Sequence, residues 1–248
     1  MSSLEIQNLS KSFGALKVSQ DISIRIGAGQ CHALIGPNGA GKTTLIHQIS
    51  GVLTPDSGRI HLDGQDISSL PVAARVQAGL SRTFQITSVL PSFTALENTA
   101  IAAQAKAGSS MRFFRDAAKE DALNETAQAT LRRVGLSDRM HVPASDLSHG
   151  ELRLLEIAIA LAAAPKFLLL DEPMAGLGRA ESAALVKLLS DLRGSLPMLL
   201  VEHDMDAIFQ LADTVHVLVD GRIVAHGTPD EVRADPAARA AYLGEGSA

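Results

Sequence analysis

The chain has 248 residues, a formal net charge of −5 at pH 7, 46% hydrophobic residues and 20% charged ones. These values describe a globular chain able to bury a sizeable core, as one large α/β domain or a domain with an insertion. The acidic balance leaves no basic footprint for nucleic acid. The single cysteine, Cys31, excludes a disulfide framework and points to a reducing compartment.

Met1 to Glu5 lacks the basic and apolar regions of a signal peptide. The apolar run Ile157 to Ala164 is closed by Glu156 and Pro165, far short of the roughly 20 residues that span a bilayer. Membrane association is therefore expected to go through a partner. No internal repeat or low-complexity segment breaks the chain.

In chain order, Leu4–Leu9 and Ile22–Ile26 alternate apolar and polar residues, which predicts an antiparallel pair beside a main sheet. Phe13 is expected in the turn between them, where it can stack on an adenine or simply pack. Cys31–Ile35 reads as a buried parallel strand. It leads into Gly36-Pro37-Asn38-Gly39-Ala40-Gly41-Lys42-Thr43-Thr44, which fits G-x-x-x-x-G-K-[ST]. Glycines there let successive backbone N–H groups converge on one phosphate, and the following helix adds its positive dipole end. Lys42 is suited to reach the β- and γ-phosphates, and the Thr43 hydroxyl to ligate Mg²⁺. A glycine-rich turn matching by accident is the bland reading, but the apolar flanks favour a nucleoside-triphosphate site.

Pro55–Gly58 and Asp63-Gly64 are turns around a strand at Arg59–Leu62, and Leu80–Gln85 is an apolar stretch ending in a polar side chain. From about Thr87 to Leu147 strand signals vanish, and Leu123, Ala127, Leu131 and Val134 recur at helical spacing. This predicts a helical insertion. Within it, Met111–Arg115 is either a membrane-surface contact or internal packing.

Ser148 and Glu151 are spaced as a capping box opening a helix towards Ala163, and a helix N-terminus is also an anion site. Phe167–Leu170 is an apolar run ending in Asp171 and Glu172, where strand carboxyl ends face a ligand crevice. Asp171 is placed to hold Mg²⁺ and Glu172 to polarise a water attacking the γ-phosphate. A buried strand simply meeting solvent is the alternative. Leu185–Leu192 predicts a helix ending near Gly194, Met198–Val201 a strand, and Glu202-His203-Asp204 its exit. A lone histidine is usually a surface or satisfied core residue. At the end of a core strand, His203 can instead contact the γ-phosphate and hold the attacking water. Val215–Val219, Asp220-Gly221 and Arg222–Ala225 read as a hairpin, and the last twenty residues as a short helix and tail.

The ordered set GPNGAGKTT from Gly36, Gln85, LSHGE from Leu147, LLLDEP from Leu168 and EHD from Glu202 resembles the nucleotide-binding subunit of ABC transporters. The resemblance covers nearly the whole chain. It implies a P-loop NTPase core with an antiparallel β-subdomain and an inserted α-helical subdomain. The expected bounds are 1–86 and 156–248 for the α/β core with its β-subdomain, and 87–155 for the helical part.

The resemblance further implies that Phe13 stacks on adenine and that Gly36 to Thr44 cradle the phosphates of ATP. Gln85 would contact Mg²⁺ and the water and sense the membrane partner. Ser148 and Gly150 would bind the γ-phosphate of ATP held by an opposite subunit. Asp171, Glu172 and His203 match the metal-binding aspartate, the catalytic glutamate and the switch histidine.

Ser81–Gln85, Leu96-Glu97-Asn98 and Ala241–Glu245 are similar to the importers of branched-chain amino acids, whose relatives carry other amino acids, urea or small carboxylates. Three departures from the family pattern stand out: His149 replaces a commoner glycine, Glu151-Leu152 stands where many members have glutamine, and Gly178 replaces an Asp or Asn.

The implied partners are a second ATPase subunit (sister or self), two transmembrane permeases at the cytoplasmic face of the membrane and, indirectly, a solute-binding protein, but no nucleic acid. Other classes considered are a soluble ATPase of this type and a weakly hydrolysing nucleotide-dependent assembly module.

Overall fold

Two sheets share the work of positioning one loop. The computed structural model describes residues 2–83, 89–106 and 121–240, with side chains from Leu4 onward. The first sheet is antiparallel, in the order β2-β1-β4-β5. Its strands are β1 (Ser2–Phe13), β2 (Leu16–Gly27), β4 (Ser57–Leu62) and β5 (Gln65–Asp66). The expected antiparallel pair is present, but both strands run to twelve residues. Phe13 is consequently the last residue of β1, paired with Leu16, and not part of the turn. Alternation marked only the half of each strand whose inner face is buried; register shifts disturb the rest.

The second sheet has the order β10-β9-β3-β8-β7-β6. It comprises β3 (Cys31–Ile35), β6 (Leu80–Arg82), β7 (Phe167–Asp171), β8 (Met198–Val201), β9 (Thr214–Val219) and β10 (Arg222–Gly227). All pairs are parallel except the β9–β10 hairpin at the edge. Every residue of β3, β7 and β8 is buried, which explains why they read as continuous apolar runs.

On one face, helix α1 (Lys42–Ser50) lies between the two sheets in a core built from Leu45, Ile46, Ile49, Leu34 and Leu169. On the other face pack α5 (His149–Ala162) and α6 (Arg179–Arg193), through Leu155, Ile157, Leu185 and Leu189. Helices α3 (Ala95–Lys106) and α4 (Asp121–Arg133) pack on one another and on α5. The expected edge of the helical part at 155/156 falls inside α5, which continues unbroken into the core. Short helices α7 (Met205–Leu211), α8 (Pro229–Ala234) and α9 (Pro236–Ala238) contribute Ile208, Val232 and Ala238 to a third cluster against β3 and β9.

Helix α2 (Val72–Ala78) carries a fully buried arginine that the sequence did not announce. Arg75 donates to the carbonyls of Gln48 and Ile49 at 2.7 Å each, and to those of Ser68 and Leu70. Carbonyls at a helix C-terminus have no intrahelical partner, and a cation there also complements the dipole. Arg75 thus ties the far end of α1 to the segment that follows β5. Among the described residues no helix is long and apolar enough to cross a membrane. Gln85, Met111–Arg115 and Ala241–Glu245 lie outside the described residues.

Candidate active site

The loop between β3 and α1 is held by close backbone approach. A Cβ at Gly36 would overlap the Leu218 carbonyl, and one at Gly41, whose φ is 105°, would sit 2.5 Å from the Val18 carbonyl oxygen. Gly221 in the β9–β10 turn donates its N–H to the Ala40 carbonyl at 2.9 Å and accepts from Gln20 N–H at 2.7 Å. Gly41 caps α1 with no side chain to offer. The first amides of a helix have no internal acceptor, so such an end suits an anion. Asn38 to Thr44, Val18 and Glu172 line a cavity of about 310 Å³. The Lys42 ammonium folds onto the loop, donating to the carbonyls of Gly36 (2.6 Å) and Pro37 (3.0 Å). Burial pushes its pKa below the ordinary lysine range, opposed by the Glu172 and Asp171 carboxylates.

The ends of β7 and β8 supply the acids. Asp171 is buried, and its Oδ2 accepts from Arg82 Nη2 at 2.9 Å. The next residue, Glu172, turns out of the strand with φ 48°, a left-handed conformation that a non-glycine residue holds only where its surroundings impose it. Its N–H donates to the Val201 carbonyl at 2.9 Å, and the residue lines the cavity. Glu202 is fully buried and accepts from the amides of Met174 (2.8 Å), His203 (2.8 Å) and Asp204 (3.2 Å). It binds the exits of β7 and β8 together. His203 has a side chain 65% exposed, with Nδ1 3.7 Å from Glu202 Oε2.

The α5 N-terminus carries the full reciprocal capping box: Ser148 Oγ accepts from Glu151 N–H, and Glu151 Oε2 from Ser148 N–H. Gly150 leaves room for the Glu181 carboxylate, which accepts from Gly178 N–H at 2.9 Å. The His149 ring lies against Gly176. Ser148, Gly150, Leu177 and Glu181 line a separate cavity of about 150 Å³.

The structure therefore brings Asn38–Thr44 and Glu172 to one cavity, with Asp171 just behind. Phe13, 53% exposed with Lys11 Nζ 5.6 Å from its ring centroid, lies outside that lining, as do His203, Ser148 and Gly150. Sequence reasoning missed Val18, Arg82 and Glu202. Glu202 alone had a local signal, a carboxylate at a strand exit beside a histidine.

Uncapped amides, a lysine and a roomy polar cavity fit the phosphates of a nucleotide. Among the described residues no three His, Cys, Asp or Glu side chains are grouped to hold a metal.

Comparison with known proteins decides the family: residues 19–175 match the ABC transporter family model. The chain belongs to the ABC transporter family. A second model, the branched-chain amino acid ATP-binding cassette transporter, matches residues 222–248. The chain is 36% identical to the lipopolysaccharide export system ATP-binding protein LptB of Haemophilus influenzae, covering 99% of this chain and 98% of that one. It is 35% identical to the high-affinity branched-chain amino acid transport ATP-binding protein LivG of Escherichia coli strain K12, covering 98% of both. A solved ABC transporter cassette in its ADP conformation superposes with a TM-score of 0.87 at 30% identity, covering 98% of this chain and 99% of that one. This ABC protein is thus an ATP-hydrolysing transporter subunit, of a kind that dimerises and works with transmembrane permeases.

Proposed function

We propose that this cassette drives an importer of branched-chain amino acids, or of related amino acids or small carboxylates, at the cytoplasmic face of the membrane. The observation that carries this reading is the match of residues 222–248 to the branched-chain model, a segment beyond the motifs every cassette shares. Two transmembrane permeases, a sister or identical cassette, and a solute-binding protein complete the assembly.

Two cassettes would close on two ATP molecules. In each, Lys42 and the first amides of α1 hold the phosphate tail, and Phe13 stacks on adenine. Thr43, Gln85 and Asp171 would hold Mg²⁺, which neutralises charge on the phosphates when bound. Glu172 takes the proton of the attacking water, and His203 and Gln85 orient that water. Ser148 and Gly150 of the opposite cassette complete the pocket, so closure depends on the γ-phosphate.

Deleting the chain should lower uptake of labelled leucine, isoleucine or valine. The wild-type chain should restore it, and Glu172→Gln should not. Undiminished uptake with altered lipopolysaccharide display would instead favour an export role, the second reading that the LptB similarity supports.

A further inference from the structure

Asp171, the residue expected to face Mg²⁺, is held from behind by Arg82, a member of the Ser81–Gln85 stretch to which the family resemblance assigns no role. Arg82 Nη2 donates to Asp171 Oδ2 at 2.9 Å, and both side chains are inaccessible, 8% and 2% exposed. Arg82 Nη1 also reaches Ser50 Oγ, at 3.3 Å. One guanidinium therefore touches the last residue of α1, the end of β7 and, through its own backbone, the end of β6. Two of these, α1 and β7, carry or lead directly into residues that line the phosphate cavity.

A guanidinium is a rigid planar fork that fixes the plane of the carboxylate it meets. Only one Asp171 oxygen accepts from Arg82, so the other keeps its lone pairs for a further partner. Groups that hold a metal ligand from behind set its orientation, and losing one weakens the metal without touching it.

We infer that Arg82 is the positioning residue for the metal ligand Asp171, fixing its free oxygen toward Mg²⁺ while anchoring β7 to α1. This rests on the proposed role of Asp171. It assigns Arg82 no contact with nucleotide.

The test is the Mg²⁺ dependence of ATP affinity, measured by calorimetry on the purified full chain with Mg²⁺ and with a chelator. The wild-type chain should bind more tightly with Mg²⁺; no difference there would remove Asp171 from its metal role, and Arg82 with it. Given that difference, Arg82→Met should keep Mg²⁺-free affinity and lose the Mg²⁺-dependent gain, a weakening of about tenfold to a hundredfold in metal affinity. Arg82→Lys, which keeps the charge without the fork, should recover part of it and serves equally if Arg82→Met does not fold. In an Asp171→Asn background, the Arg82 substitution should cause no further loss. An unchanged gain in both Arg82 variants, or a tighter one, would overturn the inference, the latter by making Arg82 a competitor of the metal.

Discussion

Two helix N-termini in this chain are expected to meet phosphate, and they are built in opposite ways. At α1 the cap is Gly41, which offers no side chain, so the first amides are left for a ligand. At α5 the Ser148–Glu151 box satisfies two of the end's four free amides, those of Ser148 and Glu151, from within. The first opens on a cavity that this chain lines with its own Val18 and Glu172. The second has its Ser148 and Glu151 amides engaged by the box, and keeps the Ser148 hydroxyl proton and the His149 and Gly150 amides to donate.

Substitutions at the two ends should separate these designs. The largest effect is expected for Lys42→Met, which removes charge-assisted bonds worth about 1.5–3 kcal/mol, a loss of roughly tenfold to 150-fold in ATP affinity. Nucleotide titration of the isolated chain checks this, and an unchanged dissociation constant would break the comparison at its stronger side.

Ser148→Ala should cost about 1 kcal/mol of stability through the lost cap. It should leave ATP affinity of the lone chain unchanged yet impair ATP-driven pairing of Glu172→Gln cassettes, read by light scattering. Weakened binding by the lone chain would mean that α5 meets nucleotide in cis.

The smallest effect at neutral pH concerns the strand beneath the loop. His32 on β3 and His216 on β9 meet at 2.9 Å, both buried. Burial pushes His32 down to about 4 against the opposing pull of Asp213, and His216 to about 3, with repulsion from His32 and His226 adding to it. Asp213 is itself 3.5 Å from Arg193. Folded values below the unfolded one, about 6.5, mean that the neutral rings stabilise the fold above that pH. Their contribution declines as pH falls and is gone below the folded values. Melting temperature should therefore drop on acidification to pH about 5, and less steeply in His216→Phe. Equal slopes would show that other groups set the acid limit.

Much of the site was legible because it is local. The loop from Gly36 to Thr44 is one contiguous segment whose glycines and lysine state its geometry, and Ser148 with Glu151 states a cap in four residues. Runs such as Phe167–Leu170 declared buried strands, since covering both faces leaves no room for alternation. Phe13 was misplaced because twist and register shifts carry β1 beyond the alternating stretch that announced it.

By itself, then, the sequence determined the phosphate loop, the acids at the strand ends and the order of strands and helices along the chain, all written in short-range spacing. Only the tertiary structure decided which distant groups serve them. Arg82 finds Asp171 across 89 positions and His32 finds His216 across 184. Each pair meets because sheet order sets β6 beside β7 and β9 beside β3. A buried charge or imidazole takes its partner from whatever the sheet places next to it, and no local pattern records that choice.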